Sequence, residues 1–178
     1  MRVLKFIILF FITISSSFCV QANDSIANLS YQELFNKGMV FMKDKQFEVA
    51  IKYFTAATEK NPKFADAYFR RGLAKDNLGL TEEAIEDYST AISIEEKPVF
   101  YNNRGINKAI LGIYEEAIHD YNMAIELDNK YAIAYINRGY AYSEIGRLID
   151  ACKDFNKALE LEHFMAPSLI EAYCNELY

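Results

Sequence analysis

Four stretches of the chain carry the same residue types at the same spacing. Tyr68-Phe69-Arg70-Arg71-Gly72, Tyr101-Asn102-Asn103-Arg104-Gly105 and Tyr135-Ile136-Asn137-Arg138-Gly139 share one pattern, and Leu34-Phe35-Asn36-Lys37-Gly38 is a weaker copy. The glycines are 34, 33 and 34 residues apart. Twelve residues after each comes an alanine (Ala50, Ala84, Ala117, Ala151). An aromatic follows four later (Phe54, Tyr88, Tyr121, Phe155), and then another alanine (Ala57, Ala91, Ala124, Ala158). A period of this length kept in register through four copies means a repeat array, in which each unit buries its apolar face on its neighbours.

Within each copy the apolar spacing is helical and breaks once. Leu34, Gly38, Phe41 and Met42 mark one face of a first helix, and Ala50, Ile51, Phe54 and Ala57 mark a face of a second. Ser30 and Glu33 have capping-box spacing. Asn61-Pro62 stops a helix, because the residue before proline is pushed out of the helical region. Leu78-Gly79, Leu111-Gly112 and Ile145-Gly146 mark the turns inside later copies, where glycine suits a left-handed helix end. Thr81 is expected to cap its helix, and Pro98 to start one. Pro167 opens a last, unpaired helix. The repeats are therefore expected at 31–64, 65–97, 98–131 and 132–165, with a capping helix over 166–178. Gly72 is expected to face Ala84 where the paired helices cross.

The segment before the array has a different composition. Arg2 and Lys5 precede the apolar run from Phe6 to Ile14, and Val20-Gln21-Ala22 has the small-x-small form of a cleavage site. This layout predicts a signal peptide over 1–22, followed by a polar segment over 23–30. The run is shorter than the roughly 20 apolar residues of a comfortable membrane span. An uncleaved anchor is the alternative. Cleavage would leave 17 basic against 25 acidic residues. That balance argues against a nucleic-acid partner, which needs a basic stripe, and against an anionic membrane surface.

The repeat resembles the tetratricopeptide repeat family. Its signature is met in the first copy by Leu34, Gly38, Phe41, Ala50, Phe54, Ala57 and Pro62. Lys75 and Lys108 depart from it at the third position, and Glu96, Asn129 and His163 replace the proline. The resemblance implies an all-α, right-handed solenoid whose first helices line a concave groove, closed by a solvating terminal helix. The groove positions so implied run from Asn36 and Met39 in the first copy through Phe69, Arg70 and Asn77 in the second. The third copy supplies Asn102, Asn103, Ile106 and Ile110, and the fourth Ile133, Ile136, Asn137, Tyr140 and Glu144. Asn36, Asn103 and Asn137 are equivalent. A carboxamide both donates and accepts, so such a ladder could grip a peptide backbone, or could bond its own helices or water. The clamp with which some family members hold acidic chaperone tails is not matched. Its positions fall on Phe35, Met39, Arg70, Val99 and Asn103, or one repeat on, on Phe69, Leu73, Asn103, Ile133 and Asn137.

Arginine and aspartate travel together, with Arg71, Arg104 and Arg138 before the glycines and Asp87, Asp120 and Asp154 before the aromatics. The first copy has Lys37 and Tyr53 instead. Co-occurrence suggests an ion pair that locks repeats rather than an anion site, made either within a repeat (Arg104 with Asp120) or between neighbours (Arg104 with Asp87). Cys152 takes the place of Ile51, Ile85 and Ile118, a slot that should face the last helix, where Cys174 lies. The two are expected close, as a disulfide or as buried thiols. His119 and His163 fall in no metal-ligand or nucleophile spacing.

The function expected is a non-enzymatic scaffold, without cofactor or metal, that binds an extended peptide or partner helix in its groove. The alternative is a structural subunit assembling through its convex face or array ends, with homo-oligomerisation possible. The compartment expected is periplasmic or secreted.

Overall fold

The chain is described by a computed structural model covering residues 26–175. The leader expected over 1–22 lies outside the described residues, as do positions 176–178 of the expected capping helix. The described residues form helices and no strand. In order these are α1 (Tyr31–Lys43), α2 (Phe47–Lys60), α3 (Ala65–Asn77), α4 (Thr81–Ile94) and α5 (Pro98–Ile110). They continue with α6 (Tyr114–Leu127), α7 (Ala132–Glu144), α8 (Leu148–Glu160) and α9 (Ala166–Cys174). Each packs on the helix before and after it, giving a solenoid of four helix pairs and a cap. The first helices of a pair also meet directly, α1 with α3 and α5 with α7.

Local chemistry sets these boundaries. Ser30 closes both halves of a capping box with Glu33 at the start of α1. Gly79, Gly112 and Gly146 take φ of +75, +77 and +77°, and in the first repeat Lys45 does so at +57°. Each of these turns is closed by a backbone bond back into the preceding helix, such as Ile113 N–H to the Lys108 carbonyl at 2.9 Å. Pro98 occupies the first turn of α5, where its missing N–H costs nothing. Thr81 does not cap α4. The tight turn places Leu80 at the cap with no side-chain bond, and Thr81 becomes the first helical residue.

The signature glycines do not sit against alanines. A Cβ on Gly38, Gly72, Gly105 or Gly139 would lie 2.5, 2.7, 2.7 or 2.5 Å from the ring of Phe54, Tyr88, Tyr121 or Phe155. Glycine is needed because the second-helix aromatic ring fills the space a Cβ would take. The alanines are fully buried beside those rings. The array ends in a cluster of Phe155, Ala158, Ala166 and Leu169 that holds α9 on α8. Cys152 and Cys174 are joined there, with an S–S distance of 2.03 Å.

Candidate functional site

The arginine of the second, third and fourth repeats is the wedge that aligns one pair on the next. Arg71, Arg104 and Arg138 each hold an aspartate of the same repeat through two bonds, the Nη2–Oδ1 distance being 2.6 Å in every case. The pairing is therefore within the repeat. The remaining Nη1 donates to the second helix of the preceding repeat, at equivalent positions. Arg71 reaches Thr55 at 3.2 Å and Thr58 at 3.3 Å, Arg104 reaches Ser89 at 3.1 Å, and Arg138 reaches Asn122 at 2.6 Å. Burial opposes the charge on Arg71, and the Asp87 bonds outweigh it, holding the guanidinium above its ordinary value. Lys75 and Lys108 add a second cation to Asp87 and Asp120, each at 3.0 Å. The first repeat has Phe41 and Tyr53 at these lysine and aspartate positions, and their rings stack 5.2 Å apart at 13°. An aromatic stack there replaces the ion pair.

Two adjacent rows of the groove set separate in the structure. Phe69, Asn102 and Ile136 are 6, 3 and 1% exposed, so they belong to the interior between repeats and not to an open face. Phe69 packs on Tyr88 and Phe100 with ring centroids 5.7 and 4.6 Å apart, and Ile136 joins the cluster beneath the cap. The next row is open. Asn36 is exposed, and Arg70, Asn103 and Asn137 are half-buried, as are Ile106, Ile133 and Tyr140. Arg70 lies over the Phe69 ring at 5.6 Å.

The asparagines do not act as a uniform ladder. Asn103 donates to the Val99 carbonyl of its own helix at 2.7 Å. Asn137 donates one amide N–H across the repeat boundary to the Asn102 Oδ1 at 2.9 Å. Asn107, where other repeats have Ala74 and Ala141, is wholly buried. It donates to the Asn103 carbonyl at 3.1 Å, and its own Oδ1 has no partner among the described residues.

Between α5 and α7 the open row deepens into a pocket of about 290 Å³. Its walls are Ile106, Ala109 and Ile110 on one side and Asn137, Tyr140, Ala141 and Glu144 on the other, with Tyr114 and Tyr121 of α6 at the floor. The Tyr114 hydroxyl donates to Glu144 at 3.4 Å. Burial raises the phenols of Tyr121 and Tyr140, with Asp120 and Tyr173 respectively adding to it, so both remain neutral donors. Tyr140 is propped edge-on by Phe155 and by Tyr173 of the cap, at 5.7 and 6.1 Å. Ile106, Asn137 and Tyr140 are thus brought together, while Asn36 and Arg70 lie on earlier repeats. Tyr114 and Tyr121 are not among the groove positions that the family resemblance implies. Tyr121 sits at a packing position, and nothing in its spacing says that the first-helix interface stays open above it.

Models of the tetratricopeptide repeat match residues 35–98 and 132–162, and a model described as the TPR repeat matches 109–146. The chain belongs to the tetratricopeptide repeat family. This family membership accounts for the period, the glycine–aromatic contacts and the paired helices together. Among relatives, an uncharacterized protein of Methanocaldococcus jannaschii is 36% identical over 62 residues, 35% of this chain and 72% of that protein. A UDP-N-acetylglucosamine–peptide N-acetylglucosaminyltransferase of Giardia intestinalis is 32% identical over 65 residues, 36% of this chain. The chain spans only 4% of that enzyme's length, so the likeness is one of repeats. A crystal structure of MamA superposes with a TM-score of 0.75 at 20% identity, covering 80% of each chain, which is a likeness of fold. The first TPR domain of Spaghetti (RPAP3), bound to the HSP90 peptide SRMEEVD, superposes at 0.61 with 29% identity over 64% of this chain and 92% of that one. Among the described residues of this tetratricopeptide repeat chain, no cluster of His, Cys, Asp and Glu could hold a metal ion. No helix among them is long and apolar enough to cross a membrane.

Proposed function

We propose that the chain is a non-enzymatic scaffold that binds an extended peptide or partner helix on its first-helix face, with the pocket between α5 and α7 as the main anchor. The observation that carries this reading is the pocket itself: an apolar floor ringed by Tyr140, Asn137 and Glu144, built from positions where a packed array needs no opening. Exposed apolar surface in a concave setting marks a partner site. The Asn137 carbonyl, oriented by Asn102, would accept a bond from a partner N–H at the rim. Asn36, Asn103, Arg70 and Ile133 extend the same face along the array.

An assembly role through another surface is favoured by a separate observation. Leu80, Leu111, Ile113, Leu148 and Ile149 are exposed along the edge where first helices turn into second ones. An exported location is supported by the leader-like residues before Asn23 and by the Cys152–Cys174 bond, since disulfides persist in oxidising compartments.

The test is partner capture with the chain and with Ile106→Glu, Tyr140→Ala and Asn137→Ala. Partner affinity falling tenfold or more, with helical circular dichroism unchanged, supports the pocket. Affinity unchanged in all three, with loss in Ile113→Glu, moves the binding surface to the turn edge.

A further inference from the structure

We propose that the pocket between α5 and α7 receives a lysine or arginine side chain of the partner. This rests on the first-helix face being the binding surface and adds the chemistry that the surface selects. The pocket combines long apolar walls with acceptors at its mouth. Ile106, Ala109 and Ile110 offer a surface for an aliphatic stem, and Tyr114, Tyr121 and Tyr140 offer ring faces and edges. Its acceptors are the Glu144 carboxylate, which also takes the Tyr114 hydroxyl at 3.4 Å, and the Asn137 carbonyl, one Asn137 N–H being held by Asn102. A side chain with an apolar stem and a cationic tip satisfies both parts at once.

The pocket has no cation of its own. No lysine or arginine lines it. The lysines and arginines of the helices around it are already paired: Arg104 with Asp120, Lys108 with Asp120 and Glu116, Arg138 with Asp154, and Arg147 with Asp150. Arg147 also lies over the Tyr142 ring, at 4.4 Å.

An independent feature of the same spot points the same way. The first helices of the other repeats, α1, α3 and α5, carry Lys43, Lys75 and Lys108 in their last turns, where a cation complements the partial negative charge of the helix end. In α7 the equivalent of Lys75 and Lys108 is Tyr142, the last turn has no basic residue, and the helix ends on Glu144. An acid at a helix C-terminus is electrostatically unfavourable unless a cation comes to it. Among the described residues, α7 is the one first helix of a pair that has no basic residue in its last turn, and the Arg147 guanidinium beside Tyr142 is held by Asp150, which leaves Glu144 open to a partner cation. A partner carboxylate in the same place would face the Glu144 carboxylate and a negative helix end.

The experiment uses the full chain with 13C-labelled isoleucine methyls, following Ile106 and Ile110 by NMR. The probes are the N-acetyl methylamides of arginine, lysine, leucine and glutamate. The arginine and lysine amides are expected to shift both methyls more strongly than leucine, and the glutamate amide to leave them in place. Glu144→Gln is expected to weaken the arginine amide about threefold to fivefold, the scale of an exposed ion pair, without affecting leucine. If leucine matches arginine, or if arginine is indifferent to Glu144→Gln, the cationic assignment is overturned while the pocket stands as an apolar subsite. If no probe moves the methyls, the pocket is not a side-chain subsite and the inference falls. The binding-face reading is then decided separately, by partner affinity of the Ile106, Tyr140 and Asn137 variants.

Discussion

Arg104 grips Asp120 of its own repeat with Nε at 2.9 Å and Nη2 at 2.6 Å, and reaches Ser89 of the preceding repeat with Nη1 at 3.1 Å. One side chain thus fixes the crossing within a pair and the stacking between pairs. Asp120 is fully buried, and its charge is balanced by Arg104 and Lys108 together. Asp120→Ala would leave Arg104 without its acid in a partly buried site, and Lys108 with only the exposed Glu116. The expected cost is about 3–5 kcal/mol, measured as the shift in urea unfolding.

The glycines of the array have two different reasons to be glycine, and substitution separates them. A methyl at Gly105 would stand 2.7 Å from the Tyr121 ring, which is buried and cannot retreat. Gly105→Ala is expected to cost about 1–3 kcal/mol by overpacking. Gly112 has open space around it but a φ of +77°. Gly112→Ala is expected to cost about 1–2 kcal/mol through backbone conformation alone. Restoring a small partner tells them apart. Tyr121→Ala in the Gly105→Ala background should recover the overpacking part of the loss, and in the Gly112→Ala background it should recover none. Thermal unfolding of these four variants and of Tyr121→Ala alone reads this as a double-mutant cycle.

Alkaline pH should destabilise the array through its tyrosines. Burial, with Glu96 accepting the hydroxyl bond at 2.6 Å, pushes Tyr101 from its ordinary value of 10.0 up to about 12. Burial raises Tyr88 and Tyr121 as well. A phenol that binds its proton more tightly when folded stabilises the fold fully below its unfolded pKa and loses that contribution as pH rises through the folded one. Stability should therefore hold to about pH 10 and fall between 10 and about 12. Absorbance at 295 nm should show late phenolate formation that coincides with loss of helical circular dichroism. Tyr101→Phe should weaken the dependence.

The cap is joined to the candidate pocket through one aromatic contact. Cys174 is bonded to Cys152, and its neighbour Tyr173 props Tyr140 at the pocket wall. The bond closes a loop of 22 residues, which in the chain-entropy view corresponds to about 3 kcal/mol. Replacing both cysteines with alanine should raise amide exchange in α9 first, leave α1 to α4 protected as before, and weaken partner binding by severalfold through Tyr140.

The fold was legible because its signals are periodic. Glycine, alanine and aromatic recur at fixed offsets, and each has a steric reason that repeats four times. Which atoms those residues touch was less legible. The spacing of Gly72 is equally compatible with a neighbouring alanine and with the Tyr88 ring, and only the helix crossing decides for the ring. Asn102 and Asn103 look alike as adjacent amides. Their helix turns one inward to Asn137 and the other onto its own backbone. The pocket was the least visible feature. Its walls include Ala109 and Ala141, small residues facing each other across the α5–α7 gap, and a small residue on a helix carries no signal of its own.

The binding-face reading is tested most directly by where the partner touches the chain. Ile110 lies in the pocket and is 63% exposed, while His119 is exposed on second helix α6, away from it. The photoreactive residue p-benzoylphenylalanine placed at either position in the native host, followed by irradiation and mass spectrometry, reports contact in place. A partner adduct from position 110 and none from 119 is the predicted result. An adduct from 119 with none from 110 would contradict it and move the interaction to the outer helices.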